Sequence, residues 1–321
     1  MRDLCRVAGS IGTDIAQAAA LLRAGQVVAI PTETVYGLAA NAFDEAAVLK
    51  VFEAKQRPSF DPLIVHVAER EHVLLLVREL PPGTRELMDA FWPGALTLVL
   101  PKRAEVPDIV TSGLDTVGVR MPEHPMTRAL LGALDFPLAA PSANPFGYVS
   151  PTTAQHVADQ LGHRIPYILD GGPCQVGVES TIIGWANGRW VLYRPGGIGV
   201  EAIERVIGTV HVAQQSVLPV APGMLESHYA PRKPVHVGDV EALLRRFAGR
   251  QVGVISFTRE WPVHRNEILS VNGDLSEAAR NLFAVLRELD GSDCDVIVAE
   301  RFPEEGLGRA INDRLRRAAA R

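Results

Sequence analysis

Cations, hydroxyls and amides fall in this 321-residue chain where regular elements should end, and their combined chemistry is that of holding an anion. Lys55 and Arg57 follow a helically spaced stretch that Asp44 is suited to cap and Pro58 to stop. In Thr116-Val-Gly-Val-Arg120-Met, strand alternation sends Val117, Val119 and Met121 to one face, leaving the Thr116 hydroxyl and the Arg120 guanidinium together on the other. Pro141-Ser142-Ala-Asn144 ends another extended stretch with both polar side chains on one side, and Glu179-Ser180-Thr181 and Tyr193-Arg194-Pro195 repeat the theme. His66, in Leu63-Ile-Val-His-Val, faces away from Leu63, Val65 and Val67.

Each of these residues also has a plain structural explanation. A cation at a helix C-terminus complements the dipole by about 0.3–1 kcal/mol, Ser, Asn and Pro favour turns, and a strand histidine is commonly a satisfied structural group. What points to function is their number and their shared position at element ends, where open α/β sheets bind ligands.

Several other chemistries are excluded. No Gly-Lys-Ser/Thr phosphate loop, Ser-His-Asp order, His-Glu-x-x-His helix or acidic metal cluster stands out. Gly197-Ile-Gly199-Val-Glu-Ala202 fits a dinucleotide turn, but Arg205 to Leu225 holds no Asp or Glu to bind a ribose, so it reads as a strand-to-helix turn. Cys5, Cys174 and Cys294 are odd in number and far apart, as expected of reduced thiols in a cytoplasmic protein. A net charge of −5 and 6% aromatic residues argue against a freestanding nucleic-acid binder. No run approaches the roughly 18 apolar residues of a membrane span, and the first residues lack the apolar core of a secretory signal.

The elements that must position these residues are short strands interleaved with helices. A helix from Asp14 to Gly25 precedes a buried strand at 26–30 and a helix opened by Asp44. Strands are expected at 63–67, 95–100, 116–121, 137–140, 167–169, 180–185 and 190–193, with helices at 84–91, 125–134, 152–161 and 200–207. Residues 211–234 carry four prolines and no periodicity, so they read as a linker. Beyond them, repeated β/α units predict a small, mostly parallel, doubly wound domain. The fold class is therefore α/β, with domains at 1–210 and 235–321.

In order and spacing, Pro31-Thr-Glu-Thr-Val-Tyr-Gly-Leu38, Lys55-x-Arg57, Pro62-Leu-Ile-Val-His66, Gly118-Val-Arg120-Met-Pro122, Pro141-Ser-Ala-Asn144, Ser150-Pro-Thr, Glu179-Ser-Thr-Ile182 and Arg194-Pro-Gly resemble the YrdC-like family. Ala221-Pro-Gly-Met-Leu-Glu-Ser-His-Tyr-Ala-Pro231 and the ending from Glu305 to Arg317 resemble its two-domain branch, the threonylcarbamoyl-AMP synthases. The resemblance implies a YrdC-like twisted mixed sheet followed by a Rossmann-like domain. It implies an enzyme that condenses L-threonine, bicarbonate and ATP, with Mg²⁺ bridging phosphates, to threonylcarbamoyl-adenylate and pyrophosphate. A downstream transferase would then use the adenylate on tRNA.

By the same resemblance, Thr34, His66, Arg120, the Ala140 backbone and Ser180 hold threonine. Lys55, Arg57, Asp61, Thr116, Ser142, Asn144, Ser150 and Arg194 hold the nucleotide, with Lys55, Arg57, Ser142 and Asn144 nearest the chemistry, and His228 and Tyr229 of the linker close over it. Two departures stand out: many relatives carry Asn where Asp61 stands, and in others a Lys takes the place of Leu225. The rival reading from another class is an RNA-binding or ribosome-assembly module on the same fold, which predicts a broad basic face with stacking aromatics.

Overall fold

The computed structural model describes residues 9–213, 221 and 223–320. Cys5 and the linker positions 214–220 and 222 lie outside the described residues.

Eleven strands form the first sheet: β1 (Ser10–Gly12), β2 (Val28–Ile30), β3 (Gly37–Asn41), β4 (Ile64–His66), β5 (Leu96–Pro101), β6 (Thr116–Arg120), β7 (Leu138–Ala139), β8 (Tyr167–Leu169), β9 (Thr181–Ala186), β10 (Arg189–Arg194) and β11 (His211–Val212). Their spatial order is β1-β8-β2-β3-β7-β4-β6-β5-β9-β10-β11, and parallel and antiparallel pairs are mixed. Seven helices accompany them: α1 (Ile15–Arg23), α2 (Glu45–Lys55), α3 (Thr84–Phe91), α4 (Asp108–Thr111), α5 (Pro125–Gly132), α6 (Ala154–Leu161) and α7 (Val200–Ile207).

Caps explain where the helices that place the site begin and end. Asp14 accepts from the N–H groups of Ala16 and Gln17, and Asp44 accepts from those of Ala46 and Ala47, satisfying donors that a first turn leaves open. The second of these helices ends at Gln56, which takes a left-handed conformation and turns the chain so that Arg57 enters the interior.

Not every element was expected. β3 reads Gly-Leu-Ala-Ala-Asn, without the β-branched or aromatic residues that mark a strand, and is set by burial between β2 and β7. The short edge strands β1 and β11 and the 3-10 turn Arg70–Leu75 likewise lack a sequence pattern. The Gly197–Ala202 segment is the turn from β10 into α7, as expected.

The second sheet, in the order β12 (Val235–Val237), β15 (Val296–Ala299), β13 (Val252–Ser256) and β14 (Arg265–Ile268), is parallel throughout. Its strands are covered on one side by α8 (Val240–Arg246) and on the other by α9 (Leu275–Gly291) and α10 (Gly308–Ala319). This is the doubly wound arrangement expected of the second domain.

The two sheets are joined by more than a tether. Val35, Val149 and Val178, on loops between strands of the first sheet, pack in one cluster with Tyr229 and with Phe283, Ile311 and Leu315 of α9 and α10. Arg287 donates to the backbone oxygens of Val149 and Ser150, and Arg280 to that of Gln175. No helix among the described residues is long and apolar enough to cross a membrane.

Candidate active site

Register brings the first site residues together. In the parallel pair β4 and β6, His66 lies opposite Arg120, and both project to the face away from the Val65 and Val119 core. Thr97 of β5 shares a hydrogen bond of 2.8 Å with Ser180, which immediately precedes β9. An isolated bridge pairs Gly37 with Ser142, bringing the Pro31–Gly37 loop to the Pro141–Asn144 loop. Gly196 has to be glycine here: a Cβ would stand 2.3 Å from the Glu179 carbonyl oxygen, so the turn after β10 fits directly against the Glu179-Ser180 strand entry.

These groups border one cavity. Of the expected residues, Thr34, Arg57, His66, Arg120, Ala140, Ser142, Ser180, Arg194, His228 and Tyr229 line it. Lys55, Asp61, Thr116, Asn144 and Ser150 do not.

The reasons are physical. Lys55 is buried and its Nζ donates to the Ser142 and Asn144 carbonyls, both at 2.5 Å, so it ties α2 to that loop. Asn144 donates to the Pro145 and Tyr148 carbonyls at 2.9 Å, and Ser150 donates to Glu179 at 2.5 Å. Thr116 and Arg120 do share a face, but Thr116 pairs with Pro101 at the far end of β6, four residues or about 13 Å along the strand. Ala140 donates its N–H to Ile64 at 3.0 Å, which leaves its carbonyl as the backbone group to offer.

Arg120 is held by three hydrogen bonds. Its Nε donates to Gly94 O at 3.1 Å, Nη1 to Thr34 at 2.9 Å and Nη2 to Glu33 at 2.5 Å. Glu33 in turn accepts from the Glu123 N–H at 3.1 Å. Three of the five guanidinium N–H groups are thereby used, and the remaining two can serve as a fork for a carboxylate. Arg194 reaches the Ser180 carbonyl through Nε at 3.2 Å and Nη2 at 2.9 Å, and the Ser180 hydroxyl at 3.2 Å.

Burial dominates the electrostatics. It pulls Lys55, Arg57 and Arg194 below their ordinary values, and cations that are costly to bury are relieved by an arriving anion. His66 is lowered to about 3 by burial and by the neighbouring Arg120, so it is neutral at physiological pH. Burial would raise Glu179, but Arg314, Arg194 and Ser150 outweigh it and hold the carboxyl below its usual range.

Three contributors escaped the sequence reading. Glu33 and Glu179 lie inside quoted motifs yet carried no assigned role, because nothing local shows that each meets a distant arginine. Arg314 of α10 is fully buried and donates to Glu179 at 2.7 Å and to Pro195 O at 3.0 Å, with its guanidinium 5.0 Å from the Tyr229 ring. An arginine in the last helix gives no signal of its partner 135 positions earlier.

Three residues of the linker, Gly223, His228 and Tyr229, line the cavity. Gly223 adopts a φ of +74°, and a Cβ there would stand 2.6 Å from the Tyr229 hydroxyl and 3.0 Å from Arg194 Nη1. His228 stacks edge-on to Phe146 at 5.8 Å between ring centres.

The donor set suits an anion rather than a divalent cation. Asp61 and Glu179, the carboxylates beside Lys55, Arg57 and Arg194, are both matched by arginines. Among the described residues, the cluster whose ligand atoms approach within 4.8 Å is His264, Asp293 and Cys294, in the second sheet's domain and outside this cavity. Cys174 and Cys294 are free and buried, and burial pushes Cys174 up to about 12.

Comparison with known proteins agrees with this architecture. Residues 20–196 match the family model described as Telomere recombination, and residues 198–320 match the one described as Threonylcarbamoyl-AMP synthase, C-terminal domain. The chain is 46% identical to the threonylcarbamoyl-AMP synthase of Bacillus subtilis, over 95% of this chain and 92% of the relative. A crystal structure of Pyrococcus abyssi Sua5 complexed with L-threonine superposes with a TM-score of 0.91 at 44% identity, covering 95% of this chain and 94% of that one. A putative threonylcarbamoyl-AMP synthase of Mycobacterium tuberculosis is 38% identical over 60% of this chain and 89% of its own length. With both halves matched and an architecture shared along nearly its whole length, the chain belongs to the two-domain threonylcarbamoyl-AMP synthase family.

Proposed function

We propose that this chain condenses L-threonine, bicarbonate and ATP to threonylcarbamoyl-adenylate with release of pyrophosphate, the first step in threonylcarbamoyladenosine formation on tRNA. The observation that carries the reading is the convergence of Arg57, Arg120 and Arg194 with Thr34, Ser142 and Ser180 around one cavity that His228 and Tyr229 also line. A relative of closely similar architecture binds L-threonine.

In this reading the Arg120 fork receives the threonine carboxylate, with His66, Thr34, Ser180 and the Ala140 carbonyl around the rest of the amino acid. Arg57, Arg194 and Ser142 face the phosphates. Lys55, Asn144 and Ser150 act one step back: they hold the loops that carry Ser142 and the Glu179-Ser180 entry. The threonine amine and bicarbonate give a carbamate and water. A carbamate oxygen then attacks the α-phosphorus, the bond to the β-phosphate oxygen breaks, and pyrophosphate leaves.

No protein nucleophile is needed. Catalysis rests on orienting three reactants and stabilising charge on phosphate oxygens, terms worth several kcal/mol each. Any Mg²⁺ would come bound to the triphosphate, whose charges it offsets, because the cavity offers a cation-lined wall. The expected boundaries are a catalytic unit at 1–210, a closing linker at 211–234 and a second domain at 235–321. The setting is cytoplasmic, with a downstream transferase as the consumer and at most transient contact with tRNA.

Pyrophosphate release measured with each substrate withheld tests this. Release should require L-threonine and bicarbonate together. Equal release with L-serine, or none with any amino acid, would sink the assignment.

A further inference from the structure

We propose that Asp61 is a counter-charge that limits the grip of this cavity on nucleotide phosphates and on pyrophosphate, by holding a carboxylate against the Arg57 guanidinium. The inference rests on the functional reading above, since it concerns the same cavity.

Asp61 is fully buried, and neither carboxylate oxygen accepts a hydrogen bond, although Oδ2 lies 2.8 Å from Arg57 Nη2. The N–H groups of Arg57 go elsewhere: Nε donates to the Asp61 carbonyl at 3.1 Å and Nη2 to the Pro62 carbonyl at 2.8 Å. Two backbone oxygens therefore aim the guanidinium, while the carboxylate adds negative charge without aligned bonds. A buried carboxylate with no hydrogen bond is costly and calls for an explanation beyond stability.

Its surroundings supply that explanation. Burial pushes the Asp61 carboxyl up, and Arg57, Lys55 and Arg194 pull it back down; the Arg57 guanidinium 2.8 Å away is the partner that sustains a negative charge there. A triphosphate of roughly four negative charges meets a weaker field than the cations alone would produce. Affinity shared by substrate and product does not accelerate the chemistry, and it delays departure of a leaving group as highly charged as pyrophosphate. A metal-ligand role would explain an orphaned carboxylate equally well, but three adjacent cations oppose it.

The test titrates the full-length chain with the β,γ-imido analogue of ATP and with pyrophosphate, each in Mg²⁺ and again in EDTA. Asp61→Asn should bind both ligands about tenfold more tightly under both conditions, the order expected for one charge in a partly screened site. Its threonine affinity should be unchanged. Asp61→Ala also removes the charge while Arg57 keeps its two carbonyl partners, so it should shift in the same direction and stands in if the Asn variant misfolds. Unchanged or weaker binding overturns the proposal, and weakening confined to Mg²⁺ would make Asp61 a metal ligand instead. Unfolding of both variants would also overturn it, by making the carboxylate a structural requirement. A wild-type chain that binds neither ligand would defeat the functional reading and this inference together.

Discussion

Two arginines on the cavity wall are each backed by a buried carboxylate, and the two pairs are built differently. Arg120 and Glu33 meet through a hydrogen bond of 2.5 Å, the arginine is further fixed by Gly94 and Thr34, and both Glu33 oxygens are used. Arg57 and Asp61 approach to 2.8 Å, yet neither carboxylate oxygen accepts a hydrogen bond. The same two charge types thus do two jobs. One carboxylate aims a guanidinium, and the other only balances its charge.

The largest effect that would break this contrast is on stability. Glu33→Ala strands a hydrogen-bonded arginine in the interior and should cost about 3–5 kcal/mol in urea unfolding. Asp61→Ala should cost about half that or less, because Arg57 retains the Asp61 and Pro62 carbonyls. Equal losses would show that the two pairs are energetically alike.

Next in size is the division of ligands. Arg120→Ala should weaken L-threonine binding about 100-fold, in the range for truncating a desolvated charge partner, and leave imido-ATP affinity within about threefold. Arg57→Ala should show the reverse preference. Calorimetric titration of both ligands against both variants decides it, and a loss of both affinities in either variant would merge the two ends of the cavity.

A smaller effect sharpens the picture of the Arg120 side. The folded-state value of His66, about 3, lies below the 6.5 of an unperturbed histidine. Between those values the unfolded chain binds a proton that the folded chain does not, so stability falls as pH drops from 6.5 toward 3. The slope is at most about 1.4 kcal/mol per pH unit. His66→Gln should flatten this acid limb in a series of melts, with His228, also held well below its ordinary value, supplying part of what remains. An unchanged limb would mean that His66 is not buried beside a fixed positive charge.

The second domain shows how far sequence reading reached. Its strands were legible because runs such as Val252–Ser256 are apolar and bounded by turn residues, and its helices because α9 repeats apolar residues at helical spacing. What the domain contributes to the cavity was not legible. Arg314 meets Glu179 and Pro195 through contacts spanning large sequence separations, and no local pattern encodes a partner.

The sequence by itself determined the fold class, the sites of capping and turning, and which side chains lie at element ends, because alternation, helical spacing and cap chemistry are local. It also supplied the cations, hydroxyls and amides from which an anion site could be made. Only the tertiary structure decided which of them face the cavity. Lys55 and Asn144 are turned into the loop framework, Thr116 is carried to the far end of its strand, and Glu33 and Asp61 are set against particular arginines. Those outcomes depend on strand register and on burial, which the whole chain sets together.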